Sequence, residues 1–185
     1  MKTKALVLAV LMIVSTALFA GCSNVTPAAT TVATTTVDAS AGASHATDAA
    51  TFEKAVSAQG TWIIYTTADL TVTKALTLDG EFTNGKKDDA GKDIVQRKIA
   101  LYTQDADRKV TARFTLTIPE LTIKSPKASI QHGIVKGDLI VDVDGFQLVD
   151  TKVEGNVYFT KQAYKDSFVM DADSSITGKN EVKAN

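Results

Sequence analysis

Cys22 is the single cysteine in a chain of 185 residues. It follows Leu18-Phe19-Ala20-Gly21 and precedes the polar Ser23. One thiol excludes an internal disulfide and any cysteine-rich zinc or iron–sulfur site, so its position is what gives it meaning. The acidic side chains offer a different chemistry. Asp142, Asp144, Asp171 and Asp173, with Asp138 and Asp150 near them in sequence, are hard oxygen donors, and calcium takes about six to eight such ligands. However, Asp142-Val-Asp144-Gly145 lacks the later glycine and closing glutamate of an EF-hand loop. Asp and Gly also fill turns for conformational reasons alone. The four aspartates are thus calcium candidates against a default of turn chemistry, and neither a metal nor a cofactor is assigned.

The other polar groups carry no recognisable catalytic pattern. His132, in Gln131-His132-Gly133, lacks a G-x-S-x-G serine to partner, so a turn histidine is expected. Glycine-rich phosphate loops of the G-x-x-x-x-G-K-[ST] type are absent as well. Arg97, Arg108 and Arg113 are planar forks that could grip an acidic sugar, but the expectation is solvated or paired arginines on strand faces. Trp62, Tyr65, Tyr102, Tyr158 and Tyr164 would make a sugar platform only as a stacked row. Trp62, beside Ile63 and Ile64, reads as core, whereas Tyr158 alternates with Val157 and Phe159 and reads as outward-facing. With 20 basic and 21 acidic groups and a net charge of −1, there is no electrostatic case for nucleic acid.

The element that must position Cys22 is the N-terminus. Lys2 and Lys4 are followed by an uncharged apolar run from Ala5 to Leu18. As a helix that run is about 21 Å long, short of a ~30 Å hydrocarbon core. The pattern is a secretory signal rather than a stable span. Small residues directly before a cysteine resemble the lipobox of bacterial lipoprotein signal peptides. The resemblance implies cleavage between Gly21 and Cys22, a diacylglyceryl group on the Cys22 sulfur, and acylation of the new amino end. Phe19 stands where that family favours Leu. Residues 1–21 are thus expected to be a signal, the membrane to be a partner through lipid, and the outer face of a bacterial membrane to be the address.

Residues 22–50 read as a lipidated cysteine and a tether. Ser23 to Ala50 contains no aromatic, Leu or Ile, too little apolar surface to offset its ordering entropy, so a disordered spacer reaching ~30 Å is expected, with His45 solvated inside it. The folded domain is expected over 51–185. Thr51 as N-cap, Phe52, Ala55 and Val56 on one face, and Gly60 as terminator predict a helix over 52–59. It is too short to stand alone and must pack against the strand-rich remainder of the chain.

From Trp62 onward, short β-branched runs are separated by Gly, Asp, Asn and Lys, which predicts strands. Val135-Lys-Gly137-Asp-Leu-Ile-Val141 matches Val153-Glu-Gly155-Asn-Val-Tyr-Phe159 position by position, and Ile176-Thr-Gly178 begins a third copy. Leu121-Thr-Ile123, Phe146-Gln-Leu148 and Phe168-Val-Met170 read as equivalent triplets upstream of those glycines. Coil-length repeats of short strands predict a parallel β-helix with the glycines at its corners. On these blocks the chain resembles small right-handed parallel β-helix proteins, the pectate-lyase-like and bactofilin-like polymer-forming solenoids, and most of all uncharacterised β-helix lipoproteins of the Firmicutes type.

The expected class is all-β: a right-handed parallel β-helix, or solenoid, with a short N-terminal capping helix. The alternative is a β-sandwich of antiparallel hairpins. It is favoured locally by Ile99–Phe114, which reads as a hairpin around Asp105–Arg108, and by the turn signal Asn84-Gly85. Thr83 to Arg97 is polar enough to be a surface loop in either architecture. The expected role is non-enzymatic, as a structural or binding element of the envelope. Alternatives are a carbohydrate-binding module for cell-wall or extracellular polysaccharide, a subunit that self-associates through its unpaired ends, and, less favoured, a polysaccharide lyase.

Overall fold

The computed structural model describes residues 42–183. Within them the fold is mostly β, arranged as two parallel sheets with two short helices and two antiparallel hairpins. The six-stranded sheet runs Ala43–His45, Ile63–Tyr65, Arg97–Ala100, Ala128–Gln131, Gln147–Val149, Val169–Met170, each strand parallel to the next. The eight-stranded sheet centres on two long strands, Thr115–Ile123 and Ile134–Val141, paired in parallel. Leu70–Thr71 and Leu76–Leu78 lie along the outer side of the first, and Lys152–Glu154 and Val157–Phe159 along that of the second. Ser175–Ile176 and Asn180–Val182 complete the far edge.

The alternation expected of strands sorts the side chains. Leu116, Val135 and Val153 are in register and fully buried, as are Ile123, Val141 and Phe159. Ile64, Ile99, Ile130 and Leu148 form the matching row of the other sheet. Rows of aliphatic side chains from both sheets therefore meet in one core, in which β-branched and Leu side chains stack on their own kind.

The internal repeat is real in space. Val135 pairs with Val153 and Val153 with Ile176, so the blocks aligned by sequence lie side by side. After each of their glycines an Asx side chain binds the next block: Asp138 Oδ1 accepts from Asn156 N and Nδ2, both at 2.9 Å, and Asn156 Oδ1 accepts from Lys179 N at 2.9 Å. The triplet alignment is corrected in part. Phe146-Gln-Leu148 and Phe168-Val-Met170 are neighbours, but Leu121-Thr-Ile123 belongs to the other sheet. The true predecessor of Phe146-Gln-Leu148 is Ala128-Ser-Ile130, which the polar Ser129 made hard to see.

Antiparallel pairing, the basis of the sandwich alternative, is confined to two hairpins among the described residues. Tyr102–Gln104 pairs with Val110–Arg113, as the Ile99–Phe114 pattern predicts. Thr83–Lys87 pairs with Asp93–Val95, so the expected surface loop is a hairpin. Its turn is at Asp88–Lys92 rather than at Asn84-Gly85, which lies within the first strand.

Two boundaries also move. Order begins before Thr51: Ala43–His45 is an edge strand, Ala46 is fully buried, and Ala46 N donates to Tyr65 O at 2.8 Å. Composition misses this part of the expected 22–50 tether because an edge strand is held by backbone pairing, which needs no large side chain. Residues 22–41 of that tether lie outside the described residues, and residues 47–50 lead into the first helix. The helix spans Ala49–Val56, not 52–59, because Asp48 is the N-cap and forms a reciprocal capping box with Thr51. Phe52, Ala55 and Val56 are its buried face, as expected.

Arg97 is the largest correction. It is neither solvated nor in a surface pair but fully buried, and its side chain ties three segments together. One terminal nitrogen donates to Ala55 O at 2.7 Å and Ser57 O at 2.9 Å; the other donates to Asp79 O and to Ser125 Oγ. These carbonyls include the end of the Ala49–Val56 helix, where acceptors lack intrahelical donors and the dipole favours a cation. The guanidinium also lies 4.1 Å over the Phe82 ring, and burial pulls its pKa down to about 10, leaving it charged at neutral pH. Its Nε is the one buried side-chain polar atom without a hydrogen-bond partner among the described residues.

Candidate functional site

The outer face of the eight-stranded sheet presents one residue per strand. Thr77, Thr122, Ile140, Tyr158 and Glu181 are in register across five strands, and Ile140 and Tyr158 each stand between two buried neighbours, Leu139 and Val141, and Val157 and Phe159. A groove of about 360 Å³ follows this row, bordered by Glu120, Lys124, Asp142, Thr160 and Lys183. Tyr158 faces outward, as its alternation predicts, with Lys183 Nζ 4.9 Å from its ring centroid. Asp142 accepts a 2.5 Å hydrogen bond from Thr160 Oγ1 on the adjacent rung.

A second polar cluster occupies a corner between the sheets. His132 and Asp150 stand one repeat apart, and both hold the left-handed backbone conformation, at φ 58° and 46°. Asp and His tolerate that region better than most residues. His132 Nδ1 lies 2.9 Å from Asp150 Oδ2, and the Arg113 guanidinium reaches the same oxygen at 2.5 Å. Partial desolvation pushes the Asp150 carboxyl up, yet the hydrogen bonds and charges of His132 and Arg113 outweigh it and hold the pKa below the ordinary value. Asp150 N in turn donates to both Asp171 oxygens, and Ser174 Oγ donates to Asp171 Oδ1 at 2.6 Å. That hydroxyl, foremost, keeps Asp171 low. His132 is thus a turn histidine with a carboxylate partner. Nothing in its own tripeptide signals Asp150. The step that carries Val135 onto Val153 also carries His132 onto Asp150, and that repeat offset is the signal in the sequence.

The calcium candidates are kept apart. Asp142 binds Thr160, Asp144 pairs with Lys127 at 3.2 Å, Asp171 serves Asp150 and Ser174, and Asp173 borders a cleft beside Arg113 and Lys152. Among the described residues no group of three or more His, Cys, Asp or Glu side chains stands ready for a metal. The aromatic side chains do not form a row either. Trp62 is half-buried rather than core, with Lys98 Nζ 5.7 Å from its ring; Tyr65 stacks on His45 at 4.6 Å; Tyr102 is buried. Arg108 is a turn residue at φ 64°. Gly21 and Cys22 lie outside the described residues.

No family model matches this chain, and neither a curated protein nor a solved structure matches it.

Proposed function

We propose that this chain is a lipid-anchored protein of the bacterial cell surface whose folded part is a right-handed parallel β-helix with a non-enzymatic structural or binding role. The observation that carries the solenoid is the return of the chain to the same sheet in parallel. Ile130 pairs with Leu148, Val135 with Val153 and Leu139 with Val157, all at one and the same offset in sequence. Parallel crossovers of this kind are right-handed almost without exception. The address rests on Leu18-Phe19-Ala20-Gly21-Cys22 after a short apolar run. The non-enzymatic role rests on a sequence in which neither a G-x-S-x-G nor a G-x-x-x-x-G-K-[ST] pattern accompanies the anchor signal.

Mass spectrometry of the membrane fraction tests the anchor. The expected result is an N-terminal peptide beginning at Cys22 and carrying acyl chains, lost in Cys22→Ser. A mature chain starting elsewhere, soluble and unlipidated, overturns it. A second reading, self-association, is favoured by the edge strand Val169–Met170, where Val169 is 53% and Met170 43% exposed. Sedimentation over a concentration series decides it, since a strict monomer removes it.

A further inference from the structure

We propose that the groove along Thr77, Thr122, Ile140 and Tyr158 is a binding site for an uncharged linear oligosaccharide. The inference rests on the binding form of the role proposed above. The four residues stand on four successive strands in register. Their spacing is therefore the interstrand distance, ~4.8 Å, and the row from Thr77 to Tyr158 spans ~14 Å. An extended sugar chain laid across the strands advances by about one strand per residue, so each rung meets a similar part of the next sugar.

The chemistry of the lining fits the same ligand. Ile140 and, once the flexible Lys183 side chain over its face swings aside, the Tyr158 ring give an apolar floor for the C–H faces of pyranose rings. Thr77 and Thr122 add hydroxyls that both donate and accept, and Thr160, whose proton goes to Asp142, adds an acceptor. The rim carries two carboxylates, Glu120 and Asp142, and two ammonium groups, Lys124 and Lys183. Their charges cancel. A polyanion would meet both carboxylates and a polycation both amines, each leaving like charges face to face, whereas sugar hydroxyls can bond to either. Asp142 is already oriented by Thr160 Oγ1, so one acceptor is fixed before binding.

The full chain, in a zwitterionic detergent, is titrated with cellotetraose, chitotetraose and tetragalacturonate by calorimetry and ligand-observed NMR. The expected result is binding of at least one uncharged tetrasaccharide, with Kd of about 1 mM or tighter. Tyr158→Ala should weaken it by about tenfold or more, while Tyr65→Ala, on the six-stranded sheet, leaves it unchanged. Glu120→Gln keeps the shape of the rim and removes one negative charge, so it should gain affinity for tetragalacturonate. Failure of both uncharged sugars to bind, tighter binding of tetragalacturonate by the unaltered chain, or a Tyr158→Ala chain that binds as before each overturns the proposal. An acylated chain that binds no sugar retires the groove and leaves the anchor standing. Sugar binding by a chain that is never acylated does the reverse.

Discussion

A Cβ placed on Gly155 would lie 2.1 Å from the Gly137 carbonyl oxygen. The two glycines are stacked at one corner of successive repeats, and there is no room for a side chain between the backbones. Gly155→Ala must therefore push two rungs apart. We expect a loss of about 1–3 kcal/mol, the usual cost of overpacking, read from urea denaturation. Gly178→Ala makes a similar clash with Gly155 O at 2.5 Å, but it is exposed on the terminal rung and should cost less. Equal costs at the two positions would count against a shared corner whose tightness depends on neighbours on both sides.

Arg97 joins the helix end to two other segments through four acceptors. Removing a buried donor strands the neutral acceptors it satisfied, so Arg97→Ala should cost about 1–3 kcal/mol. Arg97→Lys should recover little, because one ammonium cannot span four acceptors that a planar fork reaches. Hydrogen exchange gives a more specific signature. Amides of Phe52, Ala55 and Val56 should exchange faster, since the helix is too short to persist undocked.

Asp150 sets an acid limit. Its folded pKa lies below the ordinary carboxyl value of 3.8. A depressed carboxyl contributes stability that is fully present above the unfolded pKa and is lost as pH falls through the folded one. Thermal midpoints of the unaltered chain should therefore drop as pH falls below about 4. Asp150→Asn should be less stable at pH 7 and show a shallower drop. A residual slope is expected from Asp171, whose pKa is lowered in the same direction. Parallel curves for the two chains would refute the linkage.

Asn156 both donates to Asp138 and accepts from Lys179. Asn156→Asp would set a second carboxylate against Asp138 Oδ1, losing a donor and adding repulsion. A cost of about 1–3 kcal/mol is expected at pH 7, visible as a lower melting midpoint. A midpoint as high as that of the unaltered chain would mean that the two side chains do not meet.

Where the repeat was legible and where it was not follows from insertions. Val135 to Val153 and Leu139 to Val157 are equal steps along the chain, so those blocks align by inspection, whereas Ile130 and Leu148, at the same step, are masked by the polar Ser129. The step from Ile64 to Ile99 is nearly twice as long, and that from Ile99 to Ile130 is stretched almost as far. The hairpins at Thr83–Val95 and Tyr102–Arg113 account for the excess. A period interrupted by insertions leaves no regular signal, although the rungs on either side pair as closely as the rest.

Local pattern is enough for the strands from Trp62 onward outside Thr83–Arg97, the outward face of Tyr158, the stacked glycine blocks and the buried face of the first helix, because alternation and close backbone approach are written residue by residue. It takes the folded chain to reveal that Arg97 is an interior clasp, that Ala43–His45 is an edge strand, and that His132 shares a carboxylate with Arg113. In each case the partner lies on another rung or another segment, and a burial or a hydrogen bond made across that distance has no local pattern to announce it.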